Sequence, residues 1–547
     1  MDLSPTQIEE FGKIVGHDFF STDPIVQDRL ARTTLPEEGS RPLGIIRPAN
    51  REQVQQIVRL AAAHKTPLYP ISTGKNWGYG DACAPLEGCL ILDLSRMNRI
   101  LEVNSKLAYA VVEPGVTQGQ LSNYLRQNKI PLIMDCTGAG PETSLMGNAL
   151  DRGFGHSPYG DRFGNSCNYE VVLSDGSLLS TGFGAYPNAQ AQHVYKWGVG
   201  PSIDGLFTQS NLGIVTRLTL WLMPQPESLE YFFITLKTPE AISGLVEVLR
   251  QLRLQGMVRS TVHCLNERRL VASRAQYPWD QADGKQALEK QHPELLDKLC
   301  RQYGIPAWAA LGVVMGSRVM TAAARRSIQK GLKGLPGLDR VLFLTEKQFT
   351  WLNRGASVMK WIIPNHPLLK SLGEARVGMD MLTGTPSFDT LKGAHWRARK
   401  EPGPAQDALD SGSGLIWISP VLPMMGESVS DLTRLAEPLF HQFGFEYQVT
   451  LSLTTERALS AIMSICFDKS SREESARAKA CSEKLMDVLM NAGYVPYRGS
   501  PAILASIRKY SPAFWTAAAK LKQTWDPDGL IAPGRYIPDQ KSKRTSA

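Results

Sequence analysis

The chain has 547 residues, 43% hydrophobic and 20% charged, with a formal net charge of +8. A length beyond the ~250–300 residues that one hydrophobic core serves predicts two domains. The absence of a long apolar run and of a dense Lys/Arg block argues against a membrane span and a nucleic-acid partner; eight cysteines without CxxC or Cys/His spacing argue against a metal site or disulfide framework.

The opening MDLSPTQIEEFGKIVGHDFF has acidic residues and no basic run before an apolar stretch, so it reads as a cytoplasmic N-terminus. Short apolar runs then alternate with helical patterns: GIIRP (44–48), a helix from Asn50 to His64, PLYPIS (67–72) and CLILDL (89–94). In that helix Val54, Ile57, Val58, Leu60 and Ala61 share one face, which predicts packing on a sheet. AYAVVEPG (108–115) and TQGQLSNYLRQNK (117–129) repeat the strand-then-helix theme, with Thr117 as N-cap. Strands follow at 170–180 and 213–224.

From about Leu229 the pattern changes. A strand ITLKTP, the helix EAISGLVEVLRQLRL and a strand VRSTVHCL lead into a charged helical region at 281–333, and the segment 446–468 with a helix at 471–492 completes a second domain. The fold class is α+β, with boundaries expected at 1–226, 227–496 and 497–547.

Four segments carry chemistry. STGKNWGYG (72–80) follows a strand, and its glycines allow successive backbone N–H groups to cradle an anion. It lacks both the Walker ending and the GxGxxG spacing. The second, GNALDRGFGHSPYGDRFGN (147–165), is so rich in glycine that it suggests backbone lying against a large cofactor. GVGPSIDGLFTQSNLGIVTRLTLWLMP (198–224) and WDPDGLIAPGRY (525–536) complete the set.

In this order the four segments resemble the signatures of the vanillyl-alcohol oxidase and 4-cresol dehydrogenase family of FAD-linked oxidoreductases, across nearly the whole chain. The resemblance implies a two-part PCMH-type FAD-binding domain, built from the N-terminal and C-terminal segments as two α/β subdomains. An α+β cap domain with a large antiparallel sheet is inserted between them. The expected FAD-contacting residues are Ser72, Thr73, Gly74, Lys75, Asn76, Trp77, Gly78 and Tyr79 in the first segment. Gly147, Asn148, Asp151, Arg152, Gly155, His156, Tyr159, Gly160 and Asp161 follow in the second, then Gly213, Ile214, Val215 and Arg535.

Family members acting on para-substituted phenols bind the phenolate with two tyrosines and an arginine, which match Tyr79, Tyr497 and Arg498. Arginine keeps its charge and tyrosine hydroxyls donate, so such a trio favours phenolate over phenol. The substrate is expected to be a small aromatic molecule and the electron acceptor dioxygen or a redox protein. A homo-oligomer, as a homodimer, is also expected. Two alternatives stay open: a same-fold flavoenzyme oxidising a non-phenolic alcohol, amine or biosynthetic intermediate, and a flavin-binding protein without catalysis.

Three departures from the family qualify the match. Leu415 stands in GLIWISP where covalent members carry a linking residue, so FAD is expected to be noncovalent. The acidic residue that phenol oxidases place near flavin N5 is missing from DCTGAGPETS; Glu142 is a candidate substitute and Asp135 reads as part of the turn. Arg162 replaces the family's histidine after Tyr-Gly-Asp and would bring a permanent charge near the cofactor. Cys136 reads as a buried thiol rather than a flavin link, and His395 as a loop residue. The Trp and Met residues of WLNRGASVMKW and PVLPMMGE are candidates for lining the substrate pocket or for core packing.

Overall fold

The computed structural model describes residues 2–351 and 376–538. Its first layer is a four-stranded sheet in the order Phe20–Ser21, Gly44–Ile46, Leu90–Asp93, Leu68–Ile71, in which the last three strands run parallel. The helix Arg51–His64 starts where the Asn50 side chain accepts from the Gln53 N–H, and it buries Val54, Ile57, Val58 and Ala61 on this sheet. Leu60 is only partly buried. The C-terminal segment returns here: Leu68 N–H donates to Leu530 and Ala532 N–H donates to Leu68, at 2.8 and 2.7 Å.

A five-stranded antiparallel sheet follows in the order Ile100–Asn104, Tyr109–Val112, Ile214–Trp221, Ser166–Val172, Leu178–Ser180. Thr117 caps the helix Gln118–Gln127 as expected, accepting from Gln120 N–H.

The third and largest sheet is antiparallel and begins with Ser228–Leu236. Its order is Leu338–Thr345, Ser228–Leu236, Trp308–Gly316, Val262–Asn266, Gln448–Leu453, Ala458–Asp468, Ser413–Ile418. Strand alternation decides its two faces. Val262, Cys264, Val449 and Leu451 pack under the helices Ala241–Leu254, Gly426–Gln442 and Arg472–Asn491, whereas His263, Leu265 and Thr450 line a cavity on the other face. The charged region 281–333 is not helical throughout, because Trp308–Gly316 inserts as an inner strand of this sheet. The residues WAALGVVMG of this strand carry no charged or polar side chain apart from the indole, so no polar alternation marks it between two charged helices. None of the described helices is long and apolar enough to cross a membrane.

Candidate active site

A cavity of about 1580 Å³ lies where the three sheets meet. It exceeds the ~300–1,000 Å³ typical of a single small-ligand pocket, which leaves room for a dinucleotide and a substrate together. Ser72, Thr73, Gly74, Lys75, Asn76 and Trp77 form one wall. Among the described residues, the backbone N–H groups of Thr73, Gly74, Lys75 and Asn76 have no protein acceptor. Four free donors in sequence are what an anionic diphosphate requires. Lys75 itself is occupied by Asp407 at 2.8 Å and Glu142 at 3.1 Å.

Gly147, Asn148, Asp151 and His156 line a second wall, and Gly213, Ile214, Val215 and Arg535 a third. Asn148 Oδ1 is buried without a partner, as an acceptor awaiting a ligand donor would be. These features fit FAD. Six expected residues stand back from the cavity: Gly78, Arg152, Gly155, Tyr159, Gly160 and Asp161. Gly155 and Gly160 pair with each other in a turn, Arg152 donates to Thr208, and Asp161 accepts from Gly164. Gly78, at φ +73°, supports the wall from behind, since a Cβ there would lie 2.3 Å from Trp417 Cδ1.

The structure brings Tyr79, Tyr497 and Arg498 together at the cavity wall. The Arg498 guanidinium lies 4.1 Å from the Tyr79 ring centre, and the Tyr79 hydroxyl is 3.2 Å from Ser419 Oγ. Tyr497 packs on Phe154 with ring centres 5.4 Å apart. Arg498 donates to Asn76 Oδ1 and to Asp151 Oδ2, the latter at 2.6 Å, while its Nε has no partner. Asp151 also accepts from the Tyr536 hydroxyl at 2.5 Å and lies 3.8 Å from Arg535. Two guanidinium groups around one carboxylate leave one positive charge in excess.

Electrostatics follow from this packing. Burial pushes both tyrosine hydroxyls above their ordinary pKa, Tyr497 further because Tyr79 adjoins it, so both are neutral donors. Burial opposes the Arg498 charge, but Asp151 together with Tyr79, Tyr536 and Tyr497 outweighs it and raises the pKa. Burial likewise opposes the Asp151 charge, and the two arginines with Tyr536 hold it below the ordinary carboxylate value.

Several expectations are corrected. Asp135 is no turn residue: its buried carboxylate accepts from Ser157 N–H and Oγ and from Arg162 Nε at 3.2 Å. Arg162 is thereby neutralised, and it sits outside the main cavity. Glu142 is half-exposed, reaches Lys75 and does not line the cavity. His395 is buried and bonded to Ser411 and Ser413 rather than in a loose loop. Met424 is in the core under the large sheet and Met425 is exposed, so neither lines the cavity. Beyond Trp351, which is exposed, WLNRGASVMKW lies outside the described residues. Leu415 lines the cavity and Cys136 is buried away from it.

The sequence reading missed a histidine pair. His156 and His263 stand with ring centres 4.2 Å apart on the cavity wall. His263 Nδ1 meets Ser452 Oγ at 2.8 Å and its Nε2 has no partner. Burial lowers His156 to about 4 and His263 well below its ordinary value, so both are neutral near pH 7. The alternation of VHCLN was the available signal, since it sets His263 opposite the buried Val262 and Cys264.

Residues 42–182 match the family model described as an FAD binding domain. A 1'-carboxy-chondrochloren decarboxylase of Chondromyces crocatus is 36% identical, covering 98% of both chains. The chain belongs to the PCMH-type family of FAD-linked oxidoreductases. The flavoprotein subunit of 4-cresol dehydrogenase (hydroxylating) of Pseudomonas putida is 28% identical over 96% of this chain and 94% of its own. The solved 4-ethylphenol oxidase of Gulosibacter chungangensis, in complex with isoeugenol, superposes with a TM-score of 0.87 at 26% identity, covering 98% of this chain and 99% of that one. This PCMH-type chain is therefore an FAD-dependent oxidoreductase with an α+β fold.

Proposed function

We propose that the enzyme oxidises a small para-substituted phenol, or a similar benzylic substrate, at the carbon attached to the ring, with dioxygen or a redox protein as the final electron acceptor. The observation that carries this reading is the convergence of Tyr79, Tyr497 and the unpartnered Nε of Arg498 on one wall beside an excess positive charge. FAD, when bound, supplies the acceptor for a hydride. The backbone donors of Thr73 to Asn76 would hold its diphosphate. With Leu415 at the position where covalent relatives carry a linking residue, FAD is held noncovalently.

The protein's contribution is electrostatic. Two neutral hydroxyl donors and one guanidinium stabilise a phenolate oxygen, and the phenolate pushes electron density toward the para substituent. That weakens hydride retention at the benzylic carbon and leaves a quinone methide, which loses a proton or takes up water. The 36% relative's name supports a second reading of the same site. A carboxylate one carbon beyond the benzylic position would leave the quinone methide as CO2. The pair of the broken C–C bond would form a new C=C, and the quinone methide's exocyclic π pair would move through the ring to restore the phenolate.

The test is a spectroscopic titration of a phenol-type inhibitor bound to the FAD-loaded enzyme. Its pKa should be lowered in the wild type and restored toward the free value in Arg498→Ala. An unshifted pKa in the wild type would end the phenol reading and leave the flavoenzyme assignment intact.

A further inference from the structure

Arg269 is a half-buried charge with no acid or hydrogen-bond acceptor at its guanidinium among the described residues. It follows the large sheet's strand Val262–Asn266, on the short helix Glu267–Ala272, and its side chain lines the cavity. Among the described residues its guanidinium makes no hydrogen bond or ion pair, and Nη1 is buried and unsatisfied. The neighbouring Arg268 turns the other way and meets Glu289 and Glu437. Arg397, fully buried in the same region, has two glutamates, Glu446 and Glu474. A guanidinium removed from water is ordinarily matched by acid in this manner. At Arg269 burial lowers the pKa, opposed only by Cys466.

The surroundings are shaped for the guanidinium. A Cβ on Gly393 would lie 2.5 Å from Nη1 and 3.0 Å from Cζ, so glycine leaves the space the group occupies. The Trp417 ring lies 5.5 Å from Cζ. Trp417, Gly393 and Cys466 all come from outside the matched FAD binding segment of residues 42–182, whereas the free backbone donors for a diphosphate are on Thr73 to Asn76. Two residues after Trp417 along the chain, a step of roughly 6.7 Å in extended backbone, Ser419 meets the Tyr79 hydroxyl at 3.2 Å. The unpaired charge and the phenol-binding trio therefore face one cavity.

We propose that Arg269 anchors a carboxylate carried on the substrate's side arm, so that the enzyme's substrate class is an aromatic acid. The proposal rests on the cavity being the substrate site but not on the substrate being a phenol. A bidentate guanidinium–carboxylate pair supplies the missing counter-charge and fixes the direction in which the arm lies.

The test uses the FAD-loaded enzyme and reads dissociation constants from flavin difference spectra for two pairs of probes. The pairs are 3-(4-hydroxyphenyl)propanoate with its primary amide, and 3-phenylpropanoate with its primary amide. Wild type should prefer the acid by about 10- to 100-fold in both pairs. Arg269→Met should bring both ratios to within about twofold of one, and Arg269→Lys should retain part of the preference. The unliganded Arg269→Met protein should melt no lower than wild type and keep its FAD, because the variant removes an uncompensated charge while filling the same space. Acid preference in the second pair without a lowered phenol pKa in the first would sustain the Arg269 assignment while the phenol reading fell. No acid preference in wild type, or a preference that survives Arg269→Met, overturns the proposal. Loss of FAD from Arg269→Met also overturns it, by assigning the charge to the cofactor.

Discussion

Arg498 and Asp151, 347 residues apart in sequence, meet at 2.6 Å on the wall of the cavity. The arginine read as the phenolate's positive partner is thus held in place by an acid of the FAD-binding region, and the same acid is shared with Arg535 and Tyr536. Asp151→Asn leaves two guanidinium groups without a counter-charge. Breaking such a pair costs about 3–5 kcal/mol where it is buried, and the lower end applies here because both side chains retain some exposure. Denaturant unfolding at pH 7 should show that loss. Because the Asp151 pKa is depressed in the folded state, its contribution is complete above the unfolded value near 4 and is lost as pH falls through the folded one. The gap between wild type and Asp151→Asn should accordingly narrow below about pH 4; a constant gap would show that the carboxylate's charge is not what stabilises.

Arg498→Ala removes the charge that would face the phenolate. A charge-assisted hydrogen bond to a buried anion is worth about 2–4 kcal/mol in the transition state, so kcat/KM on a para-alkylphenol should fall by about 30- to 1000-fold. Tyr497→Phe deletes one neutral donor and keeps the guanidinium, so its loss should be smaller. Steady-state kinetics on both variants decide the order, and a larger loss in Tyr497→Phe would reverse the roles assigned to the two residues.

The sequence showed the elements whose residues bury one clear face. Val54, Ile57, Val58 and Ala61 announced their helix because one side of it is solvated. The strand Trp308–Gly316 did not, because its residues are apolar toward the core and toward the cavity alike, so no polar position set the pattern. Within the site, glycine density marked two loops, yet Gly155 and Gly160 serve a turn of their own, since the same residue suits a tight turn and a close ligand equally. The triad Tyr79, Tyr497 and Arg498 was legible only through motif resemblance. Long-range pairs such as Arg498 with Asp151, Asp135 with Arg162 and His156 with His263 leave no local pattern, and whether an arginine is paired, as Arg162 is, or unpaired, as Arg269 is, depends on which remote acid the fold delivers.

Leu415 lines the cavity and has no nucleophile, and Cys136 is buried away from the cavity with its thiol pushed well above the ordinary pKa by burial. Acid precipitation should therefore release essentially all the flavin as FAD into the supernatant. Flavin fluorescence that migrates with the protein on a denaturing gel would contradict this and direct a search for the linking residue by peptide mapping.

The histidine pair predicts an acid-sensitive window. His156 is lowered from the ordinary 6.5 to about 4 and His263 falls well below its ordinary value, in both cases first by burial. Between those limits the unfolded chain binds protons that the folded chain refuses, so stability is full above about pH 6.5 and declines as pH falls toward 4. At about 1.4 kcal/mol per tenfold change in proton affinity, His156 alone contributes at most about 3 kcal/mol to the decline. Asp151 acts only below this window, so the two contributions separate by pH. Replacing His156 with Gln keeps a polar side chain of similar size and removes the titration. The variant's melting temperature should therefore change less between pH 7 and pH 5 than the wild type's, and His263→Gln should do the same. Parallel pH profiles for wild type and both variants would mean that the two rings titrate normally in the folded protein, and would rule out a neutral imidazole pair on the cavity wall at neutral pH.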